Sequence, residues 1–142
     1  MTAFDVYGVP KPQGSARAFV ANGKARITAT GGTGFAAWRN AVADAARSAH
    51  GDQAPLDGPL RLTIAFRFPM PAARKKADRE RGWCWHTVAP DIDKLTRLVA
   101  DALTAAGVIV DDARICSLLV TATEVHQAWT GAGIDIRVIE GL

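Results

Sequence analysis

The sequence predicts an α+β fold, in which a single mixed β-sheet carries two main helices packed against it, and two observations support this prediction. Two segments have apolar residues at the three- and four-residue steps of a helix. A third segment alternates apolar and polar residues with the period of two that a half-buried strand requires. The 142 residues suit one domain, and no internal repeat or low-complexity linker interrupts them. We therefore predict a single domain over residues 1–142.

The amino-terminal part is predicted to contain a strand and a hairpin. Residues 4–9 alternate with period two, which is typical of a strand. Two prolines follow and end the ladder, because proline has no N–H to donate. The dipeptide Asn22-Gly23 favours the positive φ angles of a tight turn. It predicts a hairpin between residues 18–20 and residues 24–28.

Two predicted helices flank the clearest strand of the chain. The first helix is predicted from residue 34 or 35 to about residue 50, on an apolar stripe that consists of Phe35, Trp38, Val42, Ala45 and Ala46. Residues 60–68 alternate strictly and predict the strand. The second helix is predicted over residues 93–106, and Gly107 is expected to end it as its C′ residue.

The carboxyl-terminal part is predicted to complete the sheet with two further strands. They lie at residues 115–125 and 134–138, and Gly131 and Gly133 are expected to mark the turn between them. Residues 70–90 show no usable periodicity and are predicted to form a loop. A loop of about twenty residues inside a compact domain is unusual and tends to be functional or mobile.

Composition excludes several classes of protein. Apolar residues make up 49% of the chain and charged residues 22%, which excludes a disordered chain. No apolar run approaches the roughly 20 residues of a membrane span, and no signal pattern opens the chain, so we expect a cytoplasmic protein. Cys84 and Cys116 are too few for a zinc cluster or a disulfide scaffold. A net charge of +3 does not by itself indicate a nucleic-acid partner.

The most informative pattern is a set of carboxylates around the second predicted helix. Asp91 and Asp93 stand two residues apart at its start, and Asp111-Asp112 follow its end. One aspartate suffices for an N-cap, and Asp93 is placed to provide it, whereas a second acid adds repulsion that capping does not need. Oxygen ligands without His or Cys favour Mg²⁺ or Mn²⁺, which relieve such repulsion and support phosphoryl chemistry.

Arg97 lies four residues after Asp93 on the same helical face, where it can contact a scissile phosphate, and Asp101 is placed to hold it. Each of these features also has an ordinary interpretation. Asp91 and Asp93 can be a helix cap and a solvated acid, Asp111-Asp112 an ordinary turn, and Arg97 part of a surface ion-pair ladder. Only their joint placement around one apolar helix favours a metal site over these ordinary interpretations.

Three segments carry a resemblance to a known family. Residues 90–95 (PDIDKL), 101–103 (DAL) and 107–115 (GVIVDDARI) resemble the signature of the RusA family of Holliday junction resolvases. Residues 8–12 and 14–17 resemble, more loosely, the family's opening strand and basic loop. The resemblance implies a RusA-like fold and a Mg²⁺-dependent homodimeric endonuclease that cuts four-way DNA junctions, commonly encoded by phages and prophages. A dimer with two-fold symmetry presents two equivalent sites, which symmetric cutting requires.

The resemblance also implies roles for individual residues. Asp91, Asp93 and Asp112 match the family's metal-binding acids, and Asp111 matches a companion acid whose role stays open. Arg97 stands where well-known members have a functional lysine, which keeps the charge but changes the donor geometry. Asparagine is usual at the position of Lys94, and residues 70–90 are longer than the corresponding segment of the shortest members.

Junction DNA must have its phosphates neutralised by cations. The candidate DNA-binding residues are Lys11, Arg17, Lys24, Arg26, Arg74, Lys75 and Lys76. For the basic run over residues 74–81 the alternative is a solvated loop. Trp83 and Trp85 can stack on an unpaired base or pack on a core or dimer surface, and packing is the favoured interpretation. His86 can assist proton transfer or be an ordinary polar side chain, and the second interpretation is favoured.

The sequence thus predicts a metal-dependent, structure-selective endonuclease for junction DNA in recombination and repair. Its catalytic residues are Asp91, Asp93, Asp112 and Arg97, the first three being the metal ligands. The alternatives are a nuclease for flaps and forks, and a catalytically silent module that binds branched DNA. The expected partners are branched DNA and a second copy of the chain, without a membrane or a nucleotide cofactor, in a bacterial host cell.

Overall fold

The computed structural model describes residues 1–14, 16–21, 23–29 and 34–141. These ranges contain seven β-strands and three α-helices. In chain order they are β1 (Thr2–Tyr7), β2 (Ala16–Ala21), β3 (Lys24–Ala29), α1 (Phe35–His50), β4 (Leu60–Pro69), α2 (Lys76–Arg81), β5 (Trp83–Trp85), α3 (Ile92–Ala105), β6 (Ile115–Val125) and β7 (Gly131–Val138). Short 3₁₀ turns occupy Asp112–Arg114 and Gln127–Trp129.

Five strands form one mixed sheet in the order β1-β7-β4-β6-β5, and β2 and β3 form a separate hairpin. β4 and β6 are parallel, whereas β1–β7, β4–β7 and β5–β6 are antiparallel. The connection between the parallel strands contains α2, β5 and α3, which is more than the dozen or so residues that such a crossover needs. The predicted α+β fold, with one mixed sheet and helices packed on it, is confirmed.

The core lies between one face of the sheet and helices α1 and α3. β4 provides its centre, because every second residue of the strand is buried, namely Leu60, Leu62, Ile64, Phe66 and Phe68. α3 packs against this core through one buried stripe, which consists of Leu95, Leu98, Val99, Ala102 and Leu103. Burial of each large apolar side chain contributes about 1.5–3 kcal/mol. This packing anchors α3 firmly, and its amino terminus is thereby held beside β6.

The strongly periodic elements lie close to their predicted positions. α1 begins at Phe35 and ends at His50, and α3 begins and ends one residue before the prediction. β6 has the predicted bounds, and the two strands of the hairpin are present. The turn residue Asn22 lies outside the described residues.

Two predictions about irregular segments are wrong. Residues 70–90 are not an unstructured loop, since they contain α2 and β5. Elements of six and three residues are too short to show a period. Gly131 and Gly133 do not form a turn but lie within β7. At Gly131 a Cβ atom would lie 2.1 Å from the carbonyl oxygen of Val6, so the close approach of β1 requires glycine there.

Among the described residues, none of the helices combines the length and apolarity needed to cross a membrane.

Candidate active site

The amino terminus of α3 presents two exposed carboxylates. Because α3 begins at Ile92, the N-cap position belongs to Asp91, and the Asp91 carboxylate accepts no capping hydrogen bond. Asp93 lies in the first turn of the helix and is exposed. The interpretation of Asp93 as the N-cap is therefore wrong. The nearest cation to Asp91 is Lys94, whose Nζ lies 3.9 Å from Oδ2.

Asp111 and Asp112 follow α3 at the start of a 3₁₀ turn and differ in their environments. The Asp111 carboxylate accepts a hydrogen bond of 3.0 Å from the N–H of Ala113, and this bond lowers its pKa. The pKa of Asp112 is raised, chiefly by its hydrogen bond with the Asp111 carboxylate and then by desolvation and by the charges of Asp111 and Asp101. Asp112 therefore stands in a negative field that a cation would relieve.

Arg97 and Asp93 share a shallow groove on the side of α3 that faces β6. The groove has a volume of about 420 Å³, and its floor includes Leu118 and Val120 of β6. Among the described residues, Arg97 forms no ion pair with Asp93 or with Asp101.

Asp101 instead accepts a hydrogen bond of 2.5 Å from Nε2 of Gln13. The interpretation of Arg97 as part of a surface ion-pair ladder is thus wrong. The expectation that Asp101 holds Arg97 is also wrong. Arg97 keeps an exposed guanidinium beside Asp93.

The metal ligands predicted from the sequence do not form a three-membered cluster. In the described ranges the structure contains no group of three or more His, Cys, Asp or Glu side chains placed to hold a metal ion. Asp91 opens onto two grooves, Asp93 onto a third, and Asp112 contacts Asp111. The chemistry of the donors nevertheless fits Mg²⁺, because all are carboxylate oxygens and the raised pKa of Asp112 records a repulsion that a cation removes.

A buried ionic cluster that no sequence pattern predicted is centred on Glu124. Glu124 of β6 is 1% exposed and is held by three side chains. Nε and Nη2 of Arg74 donate hydrogen bonds of 2.5 and 2.9 Å to its two oxygens. Nδ1 of His86 lies 2.9 Å from Oε2, and the Cys84 thiol donates at 3.4 Å to Oε1.

The bonds from Arg74 lower the pKa of Glu124 to about 2, against the opposing effect of burial. The same contact raises the pKa of Arg74, and burial raises the pKa of the Cys84 thiol. The position of Glu124 in the sequence could have indicated this cluster, because it places an acid on the face of β6 that also presents Leu118, Val120 and Ala122. An acid in such a position is paired when it is buried.

The candidate DNA-binding residues have different environments. Arg74 is bound to Glu124, a partner that the sequence analysis did not predict. Lys75 and Lys76 are exposed, and Lys76 pairs loosely with Glu80 at 3.7 Å. Lys11 lines a groove of about 660 Å³ that also reaches Asp91. The side chains of Arg17, Lys24 and Arg26 lie outside the described residues.

Trp83 and Trp85 are not core residues, since they are 38% and 58% exposed. Their rings meet edge to face at 5.2 Å, and the guanidinium of Arg81 lies over Trp83. The prediction that these indoles pack on the core is therefore wrong. Their packing on a dimer surface and their stacking on a base stay predictions. Trp85 borders a groove of about 500 Å³ whose wall includes Asp91.

Comparison with known proteins identifies the family of the chain. The family profile described as endodeoxyribonuclease RusA matches residues 8–139, which include the acids of α3 and of the following turn. The uncharacterized protein YqaN of Bacillus subtilis (strain 168) is 30% identical over 123 residues, covering 83% of this chain and 84% of YqaN. The chain belongs to the RusA family of endodeoxyribonucleases, enzymes that act on Holliday junctions.

Proposed function

We propose that this endonuclease depends on Mg²⁺, resolves four-way junctions by symmetric cuts, and serves DNA recombination and repair. One observation carries the proposal: the carboxylates of Asp91 and Asp93 are exposed at the start of α3 without capping it, and Arg97 shares a groove with Asp93. One acid is enough to complement the positive end of a helix, so the second exposed carboxylate is available to a cation or a substrate.

Asp91, Asp93 and Asp112 would hold the metal ion, with Asp111 as an accessory acid. When bound, Mg²⁺ polarises the phosphate and lowers the pKa of the attacking water. The protein's own side chains supply the remaining electrostatics. Arg97 is placed to offset negative charge that develops on the phosphate, and Lys11 and Lys94 line the groove that leads to Asp91.

We further propose that two copies of the chain associate through β6. Its outer edge is paired with β5 from Thr123 to Val125, and the Ala122 carbonyl accepts a hydrogen bond from the N–H of His86, so the residues before Ala122 have no strand partner on that edge among the described strands. Leu118 and Leu119, in the middle of that edge, are 54% and 61% exposed. A second copy of β6 would pair the free backbone groups and cover both leucines.

The association is tested by the mass of the protein in solution. We expect light scattering to give a dimer for the wild type and a monomer for Leu118→Arg, because an arginine cannot be buried in this edge without a partner. Val88→Arg is the matched control, since Val88 is also an exposed apolar residue but lies outside β6. A monomeric wild type would refute the dimer.

The activity is tested with a synthetic mobile four-way junction. With Mg²⁺ we expect paired symmetric nicks, and with a chelator none. Asp93→Asn should abolish cleavage but bind the junction as tightly or more tightly, because it removes a ligand and a negative charge near phosphates. Asp52→Asn, an exposed acid just after α1, is the control. Equal cutting of flaps and forks would support the wider nuclease, and a band shift without nicks would support the silent binding module.

A further inference from the structure

His86 is the most unusual polar residue near the candidate active site. Its side chain is 7% exposed. One face of the ring is stacked on Phe68, with the ring centroids 4.0 Å apart and the planes inclined by 14°. Nδ1 lies against the Glu124 carboxylate. Nε2 is buried and has no hydrogen-bond partner among the described residues.

The Glu124 carboxylate determines which nitrogen carries the proton. Its low pKa keeps it ionised, so it accepts from Nδ1–H in both the neutral and the cationic form of the ring. Nε2 is therefore the atom that is free to gain a partner. A buried polar atom without one costs free energy, and native proteins keep few of them.

His86 adjoins the grooves at Asp91. His86 forms part of the wall of both the 660 Å³ and the 500 Å³ groove, and Asp91 lines each of them. The charged groups around the larger groove are Lys11, Lys94, Arg74, Asp91 and Glu124. Cations outnumber anions there, three to two, so the groove favours an anionic ligand.

We propose that His86 is a substrate-binding residue of this enzyme, whose Nε2 donates a hydrogen bond to a phosphodiester oxygen of the DNA strand lying in the groove beside Asp91. The inference rests on the proposed function in placing the cut strand at Asp91. When the ring carries both protons, Nδ1–H donates to Glu124 and Nε2–H donates to the phosphodiester oxygen. A carboxylate bound to one ring nitrogen fixes the orientation of the imidazole and stabilises its doubly protonated form.

Two substitutions separate this role from a structural one. His86→Asn keeps an amide nitrogen near the position of Nδ1 for Glu124 but removes Nε2, whereas His86→Gln places its amide nearer to Nε2. A charge-assisted hydrogen bond predicts that His86→Asn weakens junction binding by about 10- to 100-fold, while His86→Gln recovers part of the loss. His126→Asn is the control, because His126 is exposed and caps a 3₁₀ turn through Nδ1.

A nuclear magnetic resonance titration provides a readout that a structural role would not change. In an Asp93→Asn background, which binds without cutting, we expect uncleaved junction DNA to shift the ¹⁵N resonance of Nε2 towards its protonated value and to leave Nδ1 nearly unchanged. An unchanged Nε2 resonance, or wild-type binding by a folded His86→Asn protein, would overturn the proposal. Failure of the wild type to cut any junction would instead overturn the proposed function.

Discussion

Arg74 and Glu124 form a two-point ion pair, in which Nε and Nη2 of the arginine lie 2.5 and 2.9 Å from the two carboxylate oxygens. The pair joins the chain just after β4 to the end of β6. The same carboxylate binds His86, five residues before Asp91, so one buried acid holds both ends of the segment that leads to the candidate active site. This geometry makes the segment 74–86 part of the folded domain.

Acid should weaken the fold through Glu124. Its pKa is about 2 in the folded protein against 4.5 ordinarily, so the stabilisation is complete above about pH 4.5 and is lost as the pH falls towards 2. The shift corresponds to about 3 kcal/mol. Urea unfolding should show that Glu124→Gln is less stable than the wild type at neutral pH and that the difference shrinks in acid. Glu140→Gln, an exposed glutamate, is the control, and a difference independent of pH would contradict this prediction.

Asp112→Asn should abolish cleavage without destabilising the metal-free protein. The pKa of Asp112 is raised in the fold, so its carboxylate is less favourable there than in the unfolded chain, and the asparagine removes the repulsion from Asp111. We expect the melting temperature measured in chelator to stay unchanged or to rise. A fall of several degrees would show that the carboxylate stabilises the fold.

Arg97→Ala should lower the rate of cleavage more than the affinity for the junction. Loss of one group that stabilises transition-state charge costs about 10²–10³ in rate, and Arg97 lies beside Asp93 without an internal ion-pair partner among the described residues. Arg97→Lys should recover part of the rate, since it keeps the charge. Single-turnover rates and dissociation constants measure the two effects separately. If the main change is in the salt dependence of binding, Arg97 is only a phosphate clamp.

The double variant Lys75→Ala, Lys76→Ala should reduce the salt dependence of junction binding. Each lost phosphate contact lowers the slope of log K against log salt by about 0.9, so a change of about two units is expected. Arg39→Ala on α1 provides a control with an exposed cation. An unaltered slope would show that the basic run is a solvated surface.

Trp85→Ala should weaken binding to junctions with an unpaired base at the crossover by about 5- to 150-fold, the usual effect of losing one stacking interaction. Trp129→Ala is the matched control, because Trp129 is 64% exposed and lies on a different turn. Fluorescence anisotropy measures both affinities. A variant that binds normally but loses its partner subunit would favour packing on a dimer surface.

Much of the fold follows from patterns within single segments. β4, β6, α1 and α3 lie at or within one residue or two of their predicted bounds, because periods of two and 3.6 are repeated many times in each. α2 and β5 were not predicted, since neither is long enough to repeat a period.

Patterns among residues a few positions apart were enough to predict the fold class, the long elements and the acids of α3 with the turn that follows. The tertiary structure decided that Asp91 rather than Asp93 occupies the N-cap, that Asp101 bonds to Gln13 rather than Arg97, and that Glu124 binds Arg74 and His86. Those partners are separated by 88, 50 and 38 residues along the chain. Contacts of that range depend on strand order and packing, which no local period encodes.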